Sequence, residues 1–553
     1  MLALSMYLIR VLLPIIAFGI VYNCFRSMNK HIRPDKPLIM LINKTTEEQI
    51  PVLYWENSLG RSRNSDIIIN DPTVSRDHAV LYRRKEGWII SDTNSKLGVC
   101  VNGEKIDGKR TVFINDVIKI GGTQLAVKKY SDVKEGKIEK FFANSSPIET
   151  ISQAKLLFCV TFFHFLCTLQ LLTHNGTFNI EQLVPFGIVE VSAWAYFFVS
   201  KYILRRVNFE LEILAVFLSG IGIILIGGAD IGQVYTQAAC MIIGMFLFGF
   251  IVWFIGNPDR VMKWRIIIAC GAVGLFALNL LIGKVQNGSR NWIVLGPVSV
   301  QPSELIKIAF IFVGASTLDR LQTAKNLTGF IGFSAICIGA LFLMGDFGTA
   351  CIFFVTFLVI SFMRSGDIRT IILICSAAVL GLFMILKFKP YVVNRFMVWR
   401  HVWEYVNTLG YQQSRVLTYS ASGGLFGMGI GNGRLKGVFA STSDLVFGML
   451  CEEMGLLMAV IVAVVIAMLA KYSVKSGSQS RSSFYAMASC SAAALLIIQA
   501  SLNIFGATDV LPLTGVTLPF VSLGGSSMIS VWGLLAFIKA SDERTYAARR
   551  SRR

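Results

Sequence analysis

Charged side chains are scarce in this sequence. Only 15% of the 553 residues are Asp, Glu, Lys or Arg, whereas 54% are hydrophobic. This balance excludes an ordinary soluble protein. Apolar runs of about 18 to 22 residues, long enough to cross a hydrocarbon core of ~30 Å, recur from Leu156 onward. The sequence therefore predicts a polytopic all-α membrane protein.

Acidic residues are scarcer than basic ones, and metal-binding patterns are missing. There are 33 Asp and Glu against 52 Lys and Arg, for a net charge of +19. In a membrane protein this excess indicates basic cytoplasmic loops that contact anionic lipid, and we expect no nucleic acid partner. The eleven cysteines form no CxxC or CxxH pattern and the five histidines are scattered, so neither a disulfide framework nor a zinc site is predicted.

Two regions precede the polytopic part. Residues 1–25 are largely apolar apart from Arg10 and lead into a basic segment, which predicts a transmembrane signal anchor with its N-terminus outside. Residues 38–128 are polar and turn-rich, with short β-type runs, and predict a cytoplasmic all-β sandwich or barrel. A polar linker covers residues 129–155.

The polytopic region, residues 156–540, contains about twelve apolar spans and is followed by a basic cytoplasmic tail at 541–553. With the linker inside, every predicted inner loop is basic, as the positive-inside rule requires. The predicted outer loop at 387–444 breaks this pattern, because it contains seven Lys and Arg but only two acids. Its charge fits either an anionic ligand at the outer leaflet or a solvated loop that touches anionic headgroups.

Asp444 stands at the end of that loop, where the apolar stretch DLVFGMLCEEMGL begins. One interpretation is that Ser443 or Asp444 caps a helix starting near residue 445. The other is a general base, which the helix dipole would keep ionised. Glu452 and Glu453 lie roughly 12 to 13.5 Å further along the same helix. That is too far for the ~5 to 9.5 Å carboxylate pair of a glycosidase, so we expect structural hydrogen bonds from them.

Other polar residues interrupt the apolar runs. Glu304 and Lys307 are spaced i,i+3 and can pair on one helix face. Asp346 lies at a break between two predicted spans. The glycine-rich stretch SASGGLFGMGIGNG lacks the GxxxxGK[ST] ending of a nucleotide loop, so we expect a flexible backbone that approaches a ligand closely.

Five segments together resemble one family. GSRNWIVLGPVSVQPSELIK, GDFGTA, GYQQS with SGGLFGMGIGNG, SDLVFGMLCEEMG and PLTGVTLPFVSLGGSS are similar to the signature segments of the shape, elongation, division and sporulation family, the FtsW and RodA group. The resemblance covers roughly residues 156–540. It implies a peptidoglycan glycosyltransferase of the bacterial cell membrane that polymerises lipid II into glycan strands at the outer face. It also implies a class B penicillin-binding protein as the partner transpeptidase.

The resemblance also implies residue roles. The family's essential acid falls on Asp444, which makes it the candidate catalytic residue. Together with the basic outer loop, the resemblance gives these candidate substrate-binding residues: Arg290, Trp292, Glu304, Lys307, Arg395, Arg400, Tyr411, Gln412, Arg415, Gly423 and Gly424. The sequence departs from the family at Asn291, where Arg usually precedes the Trp, and at Arg415 and Val416, where Gln-Ser is usual. Relative to the family's usual ten spans, two are added before the NGSRNW loop.

The β region is similar to a forkhead-associated (FHA) domain, through GRSRNSDIIINDPTVSRDHAVL and DTNSKLGVCVNG. The resemblance implies that it binds a phosphothreonine protein, for example a Ser/Thr kinase target. The candidate phosphopeptide-binding residues are Arg61, Ser75, Arg76 and Lys96, and His78 and Asn102 are expected to be structural. Lys96 and Leu97 replace the family's Thr-Asn pair. A scaffold that binds without phosphate is the alternative.

The expected reaction follows from the resemblance. Asp444 would take the proton from the 4-hydroxyl of the acceptor sugar, and undecaprenyl pyrophosphate would leave from the growing strand. Basic groups or a divalent cation, Mg²⁺ or Mn²⁺, would stabilise the leaving charge. Two alternatives remain open: a lipid II flippase built on Glu304, Lys307 and Asp346, and an inactive scaffold that recruits signalling partners.

Overall fold

The computed structural model describes most of the chain. It covers residues 2–30, 38–129 without 63–64 and 85–86, 152–173, 180–286 without 205 and 207, 289–295, 298–317, 324–365, and 390–542 without 481, with isolated positions at 372, 374–376, 379 and 545. Most of the predicted span at 369–388, of the linker and of the basic tail lies outside the described residues.

The segment after the first helix folds as two packed β-sheets. One sheet has the order β2-β1-β11-β10-β7-β8 and the other β4-β3-β5-β6-β9, and only the β3–β4 pair is parallel. Alternate apolar residues of both sheets, such as Leu41, Leu81 and Ile118, form a separate buried core. The predicted all-β sandwich is confirmed. The strands are β1 (Ile39–Asn43), β2 (Gln49–Val52), β3 (Glu56–Gly60), β4 (Ile67–Ile68), β5 (Ala79–Arg84), β6 (Gly87–Asp92), β7 (Val99–Val101), β8 (Glu104–Lys105), β9 (Lys109–Val112), β10 (Val117–Ile120) and β11 (Thr123–Lys128).

The rest of the described chain is mainly helical. Nine of its helices are long and apolar enough to cross a membrane, which confirms the polytopic all-α prediction. The helices are α1 (Leu2–Lys30), α2 (Gln153–Leu172), α3 (Leu183–Phe198), α4 (Glu210–Ala229), α5 (Ile231–Ile255), α6 (Pro258–Ile282), α7 (Pro302–Thr317), α8 (Ala324–Met344), α9 (Phe347–Ser365), α10 (Pro390–Val398), α11 (Tyr411–Ser422), α12 (Val446–Met454), α13 (Leu456–Ser478), α14 (Ser483–Ala507) and α15 (Gly525–Ser541).

Helix α4 lies at the centre of the bundle and is buried along almost its whole length. Its first turn contains two acids, which therefore need partners inside the protein. Ser27 Oγ donates to Glu210 Oε1 at 2.8 Å, and Lys539 Nζ lies 2.8 Å from the Glu212 carboxylate with both side chains fully buried. These contacts tie α4 to α1 and α15.

Two features differ from the sequence prediction. The span expected at 445–470 is broken into α12 and α13 by Gly455, whose φ of +87° ends α12 and whose missing Cβ would lie 2.3 Å from the carbonyl oxygen of Leu425. A small antiparallel sheet, which the sequence did not predict, connects α6 to α7. Its strands are β12 (Lys284–Gln286), β13 (Ser289–Leu295) and β14 (Val298–Val300).

Helix α1 shows which loops share an end of the bundle. Near its start, Met6 Sδ accepts from Thr173 Oγ1 at 3.5 Å, and Arg10 covers Gly429, whose Cβ would lie 2.6 Å from the guanidinium. At its other end the carbonyl of Asn29 accepts from Lys475 Nζ at 2.8 Å. The glycine-rich loop therefore lies at the opposite end of the bundle from the α13–α14 turn.

Candidate active site

Asp444 lies in the turn at 441–445 that precedes α12. The helix begins with Leu445 as its N-cap, and no side chain caps it. The interpretation of Ser443 or Asp444 as the helix cap is therefore wrong. The Asp444 carboxylate remains available for another role.

The backbone of this turn is fastened to the segment between α14 and α15. Asn503 Nδ2, on α14, donates to the carbonyls of Asp444 at 2.9 Å and Val516 at 2.7 Å. Ser522 Oγ donates to the carbonyl of Ser443 at 2.6 Å. These bonds join two loops that are far apart in sequence, so they determine where the carboxylate of Asp444 is held.

The Asp444 carboxylate faces Gly515 and Arg395. A Cβ on Gly515, where φ is +71°, would lie 3.3 Å from Asp444 Oδ2 and 3.8 Å from Arg395 Nη2. Arg395 is itself held by a 2.7 Å bond from Nη1 to the carbonyl of Leu513. Gly515 thus lets its loop approach the Asp444 carboxylate more closely than a residue with a side chain would allow.

Burial and the Arg395 guanidinium shift the pKa of Asp444 in opposite directions. Burial raises the pKa of Asp444 above its ordinary value, and Asp346 adds to this rise. The Arg395 guanidinium and a hydrogen bond from Ser443 lower the pKa but do not cancel the effect of burial. A carboxylate with a raised pKa is a stronger base than an exposed Asp, which suits proton abstraction near neutral pH.

Asp346 is held by neutral partners. Its Oδ1 accepts from the backbone N–H of Thr349 at 3.1 Å, in the first turn of α9, and its Oδ2 accepts from the side-chain amides of Asn291 and Gln301, both at 3.2 Å. Asn291, which stands where the family usually has Arg, thus binds Asp346 without neutralising its charge. Arg290 instead donates to the carbonyl of Leu280 at 3.2 Å.

Trp292 lies half-buried on β13, where it pairs with Lys284 of β12. Glu304 and Lys307 pair at 2.7 Å on α7 and are both buried, so the pairing predicted from their spacing is confirmed. Lys307 Nζ also donates to Gln499 Oε1 at 3.0 Å, and Gln499 Nε2 donates to the carbonyl of Thr517 at 3.1 Å. These hydrogen bonds link α7 through α14 to the 511–524 segment.

Glu452 and Glu453 bind the backbone of the glycine-rich loop. The Glu452 carboxylate accepts from the N–H groups of Arg434 at 2.7 Å and Leu435 at 2.9 Å, and Glu453 Oε2 accepts from that of Gly431 at 2.9 Å. The two carboxylates therefore hold this loop to α12.

The glycines of this loop make that close contact possible. A Cβ on Gly423 would lie 2.1 Å from the carbonyl oxygen of Cys451, so this residue packs against α12. Gly424 adopts φ of +57° and has open space beside it. Of the two glycines predicted to bind substrate, only Gly424 faces room for a ligand.

The remaining candidates of the basic loop make local contacts. Arg400 has φ of +64° and lies with its guanidinium 5.5 Å from the Trp399 ring centroid. Gln412 Nε2 donates to the carbonyl of Phe439 at 3.0 Å, and Arg415 lies 5.3 Å from the centroid of the Tyr411 ring. Of the predicted substrate-binding residues, it is Arg395 that the structure brings against Asp444.

The sequence interpretation missed the amides that position the site. Gln499 and Asn503 are spaced i,i+4 on α14 and so share one face of an apolar helix. Polar side chains within a membrane span are uncommon and mark functional regions, so this spacing was a usable signal.

In the part of the chain that the structure describes, no group of three or more His, Cys, Asp and Glu side chains is placed to hold a metal ion.

The predicted phosphopeptide-binding residues lie together at one end of the β sandwich. Arg61, Arg76 and Lys96 are exposed there and Ser75 is half-buried. Ser75 Oγ accepts from the backbone N–H of Lys96 at 3.2 Å, and the N–H of Arg61 donates to the carbonyl of Ser75 at 3.0 Å. Three cations and a hydroxyl therefore share an open surface, as a phosphate requires.

His78 and Asn102, which were predicted to be structural, hydrogen-bond to loops of the β sandwich. His78 is fully buried, accepts from the Ser75 N–H through Nδ1 at 3.0 Å, and places Nε2 at 3.1 Å from the carbonyl of Gly98. Asn102 has φ of +52° and joins Val117 N–H and Asp116 through its side-chain amide, each at 2.9 Å. Their contacts are with the domain's own loops.

Comparison with known proteins gives two family matches. The profile of the cell cycle protein family of FtsW, RodA and SpoVE matches residues 213–546, and the FHA domain profile matches residues 57–121. The chain belongs to the FtsW/RodA/SpoVE family. It carries an FHA domain at its N-terminal side and is a multi-pass membrane protein.

Individual relatives agree with this assignment. Stage V sporulation protein E of Bacillus subtilis (strain 168) is 30% identical over 293 residues, which cover 50% of this chain and 79% of the relative. The probable peptidoglycan glycosyltransferase FtsW of Buchnera aphidicola subsp. Acyrthosiphon pisum (strain APS) is 30% identical over 297 residues, covering 51% and 74%. A solved structure from a peptidoglycan synthase complex has the same fold, with a TM-score of 0.52, 24% identity, and coverage of 61% of this chain and 98% of that one.

The family match begins at residue 213, within α4. Helices α1, α2 and α3 therefore precede the matched region, as does the FHA domain. Helices α2 and α3 account for the two extra spans predicted from the sequence, and α1 is the predicted anchor helix.

We predict that Asn503→Ala loosens both loops of the site. Losing two hydrogen bonds from a buried amide costs about 1 to 3 kcal/mol, so hydrogen exchange in residues 440–446 and 513–518 should accelerate. Mass spectrometry of the intact protein measures this. Asn432→Ala removes an exposed amide on the neighbouring loop and should leave exchange at these sites unchanged. Equal exchange in both variants would contradict the assigned role of Asn503.

Proposed function

We propose that this chain is a peptidoglycan glycosyltransferase that polymerises lipid II, with Asp444 as its general base. The observation that supports this most directly is the position of Asp444. The backbone carbonyls of Asp444 and Ser443 accept hydrogen bonds from Asn503 and Ser522. The Asp444 carboxylate has a raised pKa and lies against Gly515 and Arg395. The names of the FtsW relatives supply the reaction class.

In the proposed reaction the acceptor sugar's 4-hydroxyl gives its proton to Asp444. The resulting oxygen attacks the anomeric carbon of the growing strand, and the bond from that carbon to undecaprenyl pyrophosphate breaks with its electron pair on the pyrophosphate. Arg395 is placed to stabilise negative charge near the reacting hydroxyl, and the basic residues of the outer loop would meet the pyrophosphates.

In this arrangement a divalent cation would need the substrate's phosphates as ligands. Asp444 and Asp346 are the carboxylates that influence each other here, and Mg²⁺ commonly binds one or two carboxylates together with substrate phosphates. We therefore propose that Mg²⁺ or Mn²⁺, where it takes part, arrives with the pyrophosphate.

The proposed setting is the bacterial cytoplasmic membrane, with the Asp444 loop outside and the FHA domain and C-terminus inside. The basic inner loops support this orientation. The related structure comes from a peptidoglycan synthase complex, and we propose a class B penicillin-binding protein as the partner of this chain.

Two alternatives remain distinguishable. A lipid II flippase would use Glu304, Lys307 and Asp346 in a moving cavity, but these groups are already bound to Gln499, Asn291 and Gln301. An inactive scaffold would not need the raised pKa of Asp444.

We predict that Asp444→Ala lowers lipid II polymerisation by about 10² to 10⁴-fold, because the proton acceptor is lost. The assay uses the full chain with its partner transpeptidase and labelled lipid II, and resolves glycan strands on a gel. Glu404→Ala removes the other acid of the outer loop, which is exposed, and should retain activity. Strands of equal yield from Asp444→Ala would exclude it as the base. A flippase would show no strands from either variant.

We predict that Arg395→Gln moves the acid limb of the pH–rate profile to higher pH. Asp444 works as a base only when ionised, so activity is lost as pH falls through its raised pKa. Removing the guanidinium takes away a cation that lowers this pKa, so protonation then occurs at higher pH. Arg434→Ala, at an exposed position of the same loop, should leave the limb in place. An unshifted limb in Arg395→Gln would show that another group sets it.

We further propose that the FHA domain binds phosphothreonine peptides through Arg61, Ser75 and Arg76, with Lys96 as a third cation. Lys96 stands where the family has Thr, so its ammonium replaces a hydroxyl contact with a charged one. Leu97 removes the amide that would meet the peptide backbone, which should make the phosphate a larger share of recognition.

We predict that Arg61→Ala weakens phosphothreonine peptide binding by about 10- to 100-fold, since a hydrogen bond to a charged group contributes about 1.5 to 3 kcal/mol. Binding of a phosphorylated peptide and its unphosphorylated form to the full chain is measured by titration. Arg110→Ala is the matched control, because Arg110 pairs with Glu104 on a different part of the domain. Equal binding of both peptide forms to the wild type would favour a phosphate-independent scaffold.

A further inference from the structure

The FHA domain contacts the membrane bundle through the first residue of β3. Glu56 is 5% exposed, and its Oε2 accepts from Ser483 Oγ at 2.8 Å, from the Ser483 N–H at 3.2 Å and from Ser482 Oγ at 3.2 Å. These donors form the N-terminus of α14. A carboxylate there satisfies unpaired backbone donors and complements the positive end of the helix dipole.

Trp55 adds an apolar contact beside this carboxylate. It packs against the buried core of the membrane bundle, with its ring centroid 6.2 Å from that of Tyr485 in an edge-on arrangement. Tyr485 is on the first turn of α14, and its hydroxyl donates to the carbonyl of Ile255, the last residue of α5, at 2.7 Å. Glu56 and Trp55 therefore both contact the N-terminal end of α14.

The other end of the same helix holds the candidate active site. Helix α14 has 25 residues, or about 37 Å at 1.5 Å per residue. Gln499 and Asn503, near its C-terminus, bind Thr517, Val516 and the carbonyl of Asp444. A shift or rotation of α14 at Ser483 must therefore move the donors that position Asp444.

Strand β3 connects the docked end of the FHA domain to its phosphate loops. Glu56 begins this strand and Arg61 follows its last residue, Gly60, so the two lie about 17 Å apart along it. The exposed cations of the phosphopeptide site therefore lie at the opposite end of this strand from the Glu56 contact. A ligand can occupy that site while Glu56 remains on α14.

We propose that Glu56 is a positioning residue for the glycosyltransferase site: by holding the N-terminus of α14, the FHA domain fixes the height and rotation of Asn503 and so of Asp444. Strand β3 and helix α14 then connect the phosphopeptide-binding loops to the turn that contains Asp444. This deepens the proposed function and rests on it for its catalytic meaning. The structural part, the coupling between the two ends of α14, stands without it.

The test compares Glu56→Ala and Glu56→Gln with Glu104→Ala in the full chain in membrane nanodiscs. Glu104 is an exposed acid on another strand of the same domain. Hydrogen exchange is read at residues 483–490 and at 440–446, and polymerisation is read as kcat and KM. Phosphothreonine peptide binding and its affinity check that the FHA domain is folded in each variant.

We expect Glu56→Ala to speed exchange at both regions and to lower kcat at least about fivefold, the lower end of typical coupling between sites, with KM unchanged. Glu56→Gln should have a smaller effect in the same direction, because its amide oxygen still accepts. Asn503→Ala should speed exchange at 440–446 and leave 483–490 unchanged, since Asn503 lies at the opposite end of α14 from the Glu56 contact.

Each contrary outcome has a distinct meaning. Faster exchange at 483–490 alone, with kcat unchanged, would leave a docking contact and overturn the coupling. Unchanged exchange at 483–490 in Glu56→Ala would overturn the docking as well. If wild-type protein makes no glycan strands, the proposed function fails, whereas the exchange measurements still decide whether α14 links the two ends.

Discussion

The side chain of Asn503 joins two loops that neither a helix nor a sheet connects. Its amide donates to the carbonyls of Asp444 and Val516 from a buried position on a helix long enough to span the membrane. In a membrane bundle a buried amide must be satisfied by protein, since neither lipid nor bulk water can do so. The same requirement applies to Gln499 and Lys307, which bond to each other. Gln499 also bonds to Thr517, so the hydrogen bonds that satisfy these buried groups also position the 511–524 segment of the site.

The sequence predicted the architecture well and the site only in part. Short β-type runs in a polar, turn-rich region predicted the β sandwich, and long apolar runs predicted the spans. Asp444 was reached through the family resemblance, but its environment depends on Asn503, 59 residues away, and on Gly515. Such contacts follow from tertiary packing. The break at Gly455 was missed because the apolar pattern continues across it, and only the positive φ reveals the turn.

Departures from the family pattern acquire reasons in the structure. Asn291 replaces Arg and binds Asp346 as a neutral donor, so the charge of Asp346 still raises the pKa of Asp444. Arg10, which is unusual in an anchor helix, lies over Gly429 in the loop that Glu453 holds. An N-terminal helix outside the family match therefore contributes to the glycine-rich loop beside α12.

Glu56 and Trp55 alone would bind α14 only weakly if the FHA domain and the bundle were separate molecules. Here the FHA domain follows α1, whose last turn is itself bonded to α13 through the Lys475 ammonium. The tether keeps the domain at high local concentration near its dock, so a few bonds suffice to hold it. Each hydrogen bond of Glu56 contributes only about 1.5 to 3 kcal/mol, as expected for a charged acceptor, so the docked and free states of the domain can both be populated. A ligand would change the position of α14 only to the extent that it binds one of these two states more tightly than the other.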